Sequence, residues 1–365
     1  MKNTRVLLFG MMALMAFGSI SFAEDTEGTE AYTLEALIEM AREKSQQDIL
    51  NDFKIEFAQD DLDEAIEVAE FNAYSGGGRL ETLFRMTKVH VDTFRAESAL
   101  KLAQLQKEAD EYLIVTEVHE LVYDVKTMEM GVEAARTRLA QAKLSYEADE
   151  KRYELGIISL LDLNNSQNDY QTAQIDLMEA ESDLRDATNQ LKIKVGIDPS
   201  QPLELNVTVE QLPFNRTYSG DLAEGAIDKD RDLYSKYTDY FADKTLFELT
   251  DDAYEPFDKE YKIAYYDSEI SRLAYEDAFS SFSTGLRGDF FNLDVLETRI
   301  KIQDLYLEIA RKNDEIAGQK LALGMISEVE RLGEEADYLE ARQNRMQSII
   351  NYNMKVLELE EILID

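Results

Sequence analysis

The chain of 365 residues has no cysteine, no tryptophan, two histidines and four prolines. Without cysteine it has no disulfide framework, no thiolate metal site and no lipid-modified N-terminal cysteine. His90 and His119, if they share one helix, lie roughly 40 Å apart and cannot share a metal or a proton. No Gly-rich phosphate loop, Gly-x-Ser-x-Gly elbow or His-Glu-x-x-His motif occurs, and Gly76-Gly77-Gly78 is not followed by Lys-Ser/Thr. The sequence therefore offers no catalytic constellation and implies no enzyme, metal or cofactor. Positive charge is also scarce: 75 Asp and Glu stand against 38 Lys and Arg, a formal −37. That sign disfavours nucleic acid and anionic lipid headgroups, and it reads as a solvated acidic face on helices.

Long apolar runs are missing except at the start. Lys2 and Arg5 precede an apolar stretch from Val6 to Phe22, and Ser21-Phe22-Ala23 supplies small residues for cleavage, so residues 1–23 read as a removable signal peptide. No later run approaches the ~18 residues of a spanning helix. The expectation is an exported chain with little direct membrane insertion.

Helix breakers are few. Proline first occurs at Pro199, then at Pro202, Pro213 and Pro256, so three of four fall in one connector. Thr33 followed by Leu34-Glu35 reads as an N-cap opening a helix to about Asn72. A second helix is expected from about Leu80 to Tyr153, and a third after Gly156 to about Val195, stopped by Gly196. Leu203–Val209 alternates and is expected as a short strand. A helix restarts near Asp221 and ends before Thr250, and a further very long one runs to about Leu323, with a kink or break possible at Gly285 or Gly288. The tyrosines and phenylalanines of residues 234–241 and 261–266 read as packing between helices.

What is present is a repeat. Residues 118–197 and 286–365 align without gaps at an offset of about 168: Leu155-Gly156-Ile157-Ile158-Ser159 falls on Leu323-Gly324-Met325-Ile326-Ser327, Ala173 on Ala341 and Leu191 on Leu359. The helix after the first turn carries Tyr170, Ala173, Leu177, Ala180, Leu184, Ala187 and Leu191 at heptad spacing. In the second copy Leu339, Met346, Ile349, Val356, Leu359 and Leu363 keep the spacing, interrupted by Arg342 and Asn353. The domain expectation is a first helical repeat at 24–198, a connector at 199–220 and a second repeat at 221–365.

This duplicated hairpin resembles the TolC family of outer-membrane efflux proteins. The residues that carry the likeness are Tyr153–Leu163 at the turn, the Ala-rich helix after it and the closing Lys192–Pro199; the second copy departs at Gly333 and Glu334. The resemblance implies a mainly α fold in which three copies form a tunnel of antiparallel helical hairpins. It implies that the tips meet an adaptor (membrane fusion) protein coupled to an inner-membrane pump. The contact residues would be Leu155, Gly156, Ile157, Leu323, Gly324 and Met325, and Asp162, Glu330, Glu334 and Glu335 would form an acidic ring at the tunnel mouth. First-turn carboxylates that stabilise a helix start are the alternative for that ring.

One family feature is expected to be absent. A β-barrel needs strands of ~9–11 residues, and Ala73–Gly78 and Thr250–Asp258 are too short for a pair. Met86–Phe94 alternates, but alone it cannot close a barrel, and it reads as the start of the long helix. The function expected is a passive exit duct. The competing expectation is an exported coiled-coil scaffold or partner-binding protein without a lumen.

Overall fold

The computed structural model describes residues 31–73 and 77–363, so the signal segment and part of the glycine-rich connector lie outside the described residues. Within them the chain is almost wholly helical. Helix α1 spans Leu34–Lys44 and α2 Gln47–Asn72. Then α3 (Arg79–Met86), a π-helical segment (Thr87–Asp92) and α4 (Thr93–Glu154) run on as one rod. After the first tip comes α5 (Leu160–Val195), then α6 (Gly220–Gly225), α7 (Arg231–Asp251), α8 (Lys259–Ala322) and, after the second tip, α9 (Glu328–Leu363). At 1.5 Å per residue, α8 is about 96 Å long. The only strands among the described residues are β1 (Ala31–Tyr32) and β2 (Glu204–Leu205), paired in parallel. Among the described residues there is no closed β-barrel, and only short connectors separate α2 from α3 and α7 from α8.

The helices lie side by side as a sheet. Below the connector the order is α5–α4–α9–α8, and above it α2–α4–α7–α8, so α8 is one edge throughout while α2 and α5 share the other. Burial organises the middle into two hydrophobic clusters. One joins Leu37 of α1 to Val118, Val122 and Val125 of α4 and to Leu191 and Val195 of α5. The other joins Leu286, Phe290 and Leu293 of α8 to Leu359 and Leu363 of α9. The repeat offset carries each of those five α4 and α5 positions onto its α8 or α9 counterpart, so the duplication is visible as two equivalent cores.

Four local outcomes differ from the sequence reading. The first helix breaks after Lys44: Ser45 is extended, and its hydroxyl accepts from the Gln47 amide at 3.2 Å. The 221–249 stretch also breaks, at 226–230, where the Asp230 carboxylate accepts from Leu233 N–H at 2.7 Å and restarts the helix. The strand shrinks to Glu204–Leu205. Helix α8 runs through Gly285 and Gly288 uninterrupted.

Met86–Phe94 is helical, as read, but widened. The Thr93 hydroxyl donates to Lys88 O at 3.2 Å, five residues back, in keeping with the local π spacing.

Asn353, which interrupts the second heptad line, is fully buried. Its Nδ2 donates to Glu210 O at 2.8 Å and to the Tyr123 hydroxyl at 3.1 Å, while its Oδ1 accepts from Leu212 N–H at 2.9 Å. The polar residue thus ties the connector to the helices. The tyrosines pack as expected: Tyr275 of α8 stacks on Tyr240 at 6.0 Å and meets Tyr237 edge-on at 5.7 Å.

Candidate functional site: the two helical tips

Each tip is built from the same two devices. Helix α4 ends in a Schellman turn: Gly156 takes φ +68°, its N–H donates to Tyr153 O, and Ile157 N–H reaches back to Arg152 O, both at 2.8 Å. Helix α8 repeats this, with Gly324 at φ +71°, Gly324 N–H to Leu321 O at 2.8 Å and Met325 N–H to Lys320 O at 2.9 Å. Only a glycine enters that left-handed region without strain, which is why the Leu-Gly pair marks both turns.

The following helix starts at once. Ser159 and Asp162 form a capping box: Asp162 N–H donates to the Ser159 hydroxyl oxygen at 3.2 Å, and the Asp162 carboxylate accepts from Ser159 N–H at 3.0 Å. Ser327 and Glu330 do the same at 3.3 and 2.8 Å. Hydrogen bonds from the Ser159 hydroxyl and then its amide hold the Asp162 carboxyl below its ordinary pKa; at Glu330 the Ser327 amide comes first, then its hydroxyl. Both carboxylates therefore serve as caps. Glu334 is half-buried, and Glu335 pairs with Arg331 at 3.0 Å, which also holds Glu328 at 2.8 Å.

This geometry leaves apolar side chains outside. Leu155 is 75% exposed and Leu323 74%, with Ile157 and Met325 nearly as open. Further along the hairpins, roughly 25–35 Å from the tips, α4 and α9 are tied by Arg138 to Glu340 at 2.7 Å and Arg342 to Glu133 at 3.2 Å. The sequence reading missed these ties because they join the two repeats across about 200 residues. The six residues read as tip contacts lie in the two turns that join α4 to α5 and α8 to α9. His119 is a core residue, its Nδ1–H on Val115 O at 2.8 Å.

The two tips thus share one construction: a Schellman turn, a capping box and exposed apolar side chains. Residues 72–196 match the model of the outer membrane efflux protein family, so the resemblance read from the first tip holds across that segment. The fold matches CusC with a TM-score of 0.61 at 14% identity, covering 94% of this chain and 95% of that one. It also matches the CmeC outer membrane channel of Campylobacter jejuni (TM-score 0.62, 11% identity, 94% and 90% covered) and the outer membrane protein VceC of Vibrio cholerae (0.60, 14%, 91% and 95%). At those identities the likeness establishes the fold. No curated protein sequence matches the chain. Among the described residues no helix is long and apolar enough to cross a membrane.

Proposed function

We propose that the chain is the exit duct of a multi-component export system, a passive tube that performs no chemistry itself. The observation that carries this reading is the open sheet of helices. A sheet with two unlike edges leaves both open in the protomer, and head-to-tail repetition of unlike edges gives a ring where the rotation closes. Large apolar side chains line the lower α8 edge, among them Phe291, Val295, Ile302, Leu305 and Ile309, and all are exposed in the protomer. The opposite edge carries Ile175 and Met178 on α5, also exposed. Three copies, the number the family resemblance implies, would bury both edges and enclose a lumen.

In that ring the two tips of each copy face one end. Leu155, Ile157, Leu323 and Met325 form the apolar surface offered to an adaptor protein coupled to an inner-membrane pump. Gly156 and Gly324 shape the turns. Asp162 and Glu330 cap helices first, and ring closure sets them round the mouth with Glu334 and Glu335. The repeats at 24–198 and 221–365, joined by the connector at 199–220, supply the two hairpins of each copy. Removal of the signal and export into the cell envelope complete the reading, and the absent barrel leaves retention to the adaptor.

The test is the absolute mass of residues 24–365 in detergent-free buffer, by light scattering on a sizing column. The duct reading expects an elongated particle of about three protomers, each near the full chain's 41.8 kDa. A protein that stays monomeric at every accessible concentration would favour a coiled-coil scaffold instead.

A further inference from the structure

The middle of α8 holds two glycines that the protomer's own packing does not explain. Gly285 and Gly288 sit in the interior of a 64-residue helix, where glycine is less favourable than alanine. The helix runs through both, and a Cβ at either position would meet nothing within 4 Å. The missing side chains therefore serve neither a break nor a close contact within the protomer. With Ser281 and Thr284, also exposed, they form a shallow stretch on the α8 edge. Large apolar residues flank it on the same edge, Ile270 and Leu273 above and Phe291 and Val295 below.

On the other edge, at the same height, α2 offers the reverse. Ile49, Phe53 and Phe57 follow one line on the side turned away from the buried Asn51 and Leu62; Phe53 is 52% and Phe57 68% exposed. The height follows from contacts across the sheet. Lys107 pairs with Asp52 at 2.7 Å, and its neighbour Gln106 accepts from Arg231, so Phe53 lies level with the start of α7. Tyr237 meets Tyr275 across the antiparallel α7 and α8. Counting back along α7 to Arg231, and equally forward along α8, reaches Ser281.

We infer that Ile49 and Phe53 of one copy seat in the small-residue stretch Ser281–Gly288 of the next copy and set the register of the ring. This rests on the ring reading above. A rotation about the tube axis leaves height unchanged, and α2 and α8 run in opposite directions, so Phe53 of one copy lies level with Ser281 of the next and Ile49 with Gly285. Large side chains over small ones let two helices approach at native packing density, as two rows of phenylalanine and leucine would not. Each line lacks a partner in its own protomer, and each supplies the shape the other lacks. A second copy is the occupant that brings both together.

The absence of native cysteine makes the test direct. The double variant Phe53→Cys with Ser281→Cys, under mild oxidation, is expected to give covalent trimers on a non-reducing gel, because a disulfide requires Cβ atoms within about 4 Å. The control pair is Phe53→Cys with Ile302→Cys, roughly 30 Å further along α8. Cross-linking of the first pair no faster than the control overturns the inference.

Gly288→Leu provides an independent check. It fills the stretch without touching the protomer's own packing and improves helix propensity. The dissociated protomer is expected to melt no lower than wild type, while assembly weakens by about tenfold or more. An unchanged assembly constant overturns the register claim. If the wild-type chain proves monomeric throughout, the ring reading fails first. A wild-type trimer indifferent to both tests removes this contact alone.

Discussion

At the scale of single residues, the turns are over-determined. Gly156 and Gly324 hold left-handed backbone that a side chain strains. Gly156→Ala and Gly324→Ala are each expected to destabilise the fold by about 1–2 kcal/mol, read from urea unfolding midpoints. Ser159→Ala removes the hydroxyl half of a capping box and is expected to cost about 1 kcal/mol in the same measurement.

Proton linkage at the caps has a definite sign. The Asp162 and Glu330 carboxyls are depressed in the folded state, so their stabilisation is complete above the ordinary carboxylate pKa and is lost as pH falls through the lower folded value. Carboxyl-carbon NMR titration should place both below Asp and Glu residues on the open helix faces; coincident titration would contradict the capping geometry. Asn353 belongs to the same scale. Its replacement by Ala strands the Glu210 carbonyl, the Leu212 amide and the Tyr123 hydroxyl in a buried site, with an expected cost of about 1–3 kcal/mol.

At the scale of elements, much was legible because the signals are local. Capping chemistry at Thr33 and Ser159, the Leu-Gly pairs and the long proline-free stretches located the rods and both tips. The heptad line from Tyr170 to Leu191 marks the inner face of α5, where Ala173 and Leu191 are buried and the exposed polar residues alternate between them. What escaped notice depends on distant partners. Among the described residues the strand expected between Leu203 and Val209 is confined to Glu204–Leu205, whose partner is the distant pair Ala31–Tyr32. Asn353 reads as an interruption until the connector is seen hydrogen-bonded to it. The break at Ser45 and Gln46 has no glycine or proline to announce it; α1 packs on α4 and α5, whereas α2 follows the rod formed by α3, the π-helical segment and α4. The two cores, in contrast, follow the repeat offset residue by residue. Leu191→Ala and Leu359→Ala, both fully buried, should each cost about 2–5 kcal/mol and by similar amounts; strongly unequal losses in calorimetry would show that the two cores are not equivalent.

At the scale of the whole molecule, the chain is a sheet of rods about as long as α8, with unlike edges and capped apolar tips at one end. Its charge of −37 opposes association of like copies, so assembly should tighten as salt rises from low ionic strength, in contrast to a complex held by ion pairs across its interface. Sedimentation velocity across a salt series reads that sign. With short helix-to-helix connectors where a barrel would begin, the proposed tube would be closed by helices along its length. The most direct measurement of that claim is electron cryo-microscopy of the purified chain viewed end-on. The account predicts a threefold ring of helices around an open channel, with the tips of all three copies at one end. A lone four-helix slab, or a solid bundle with no channel, would contradict it.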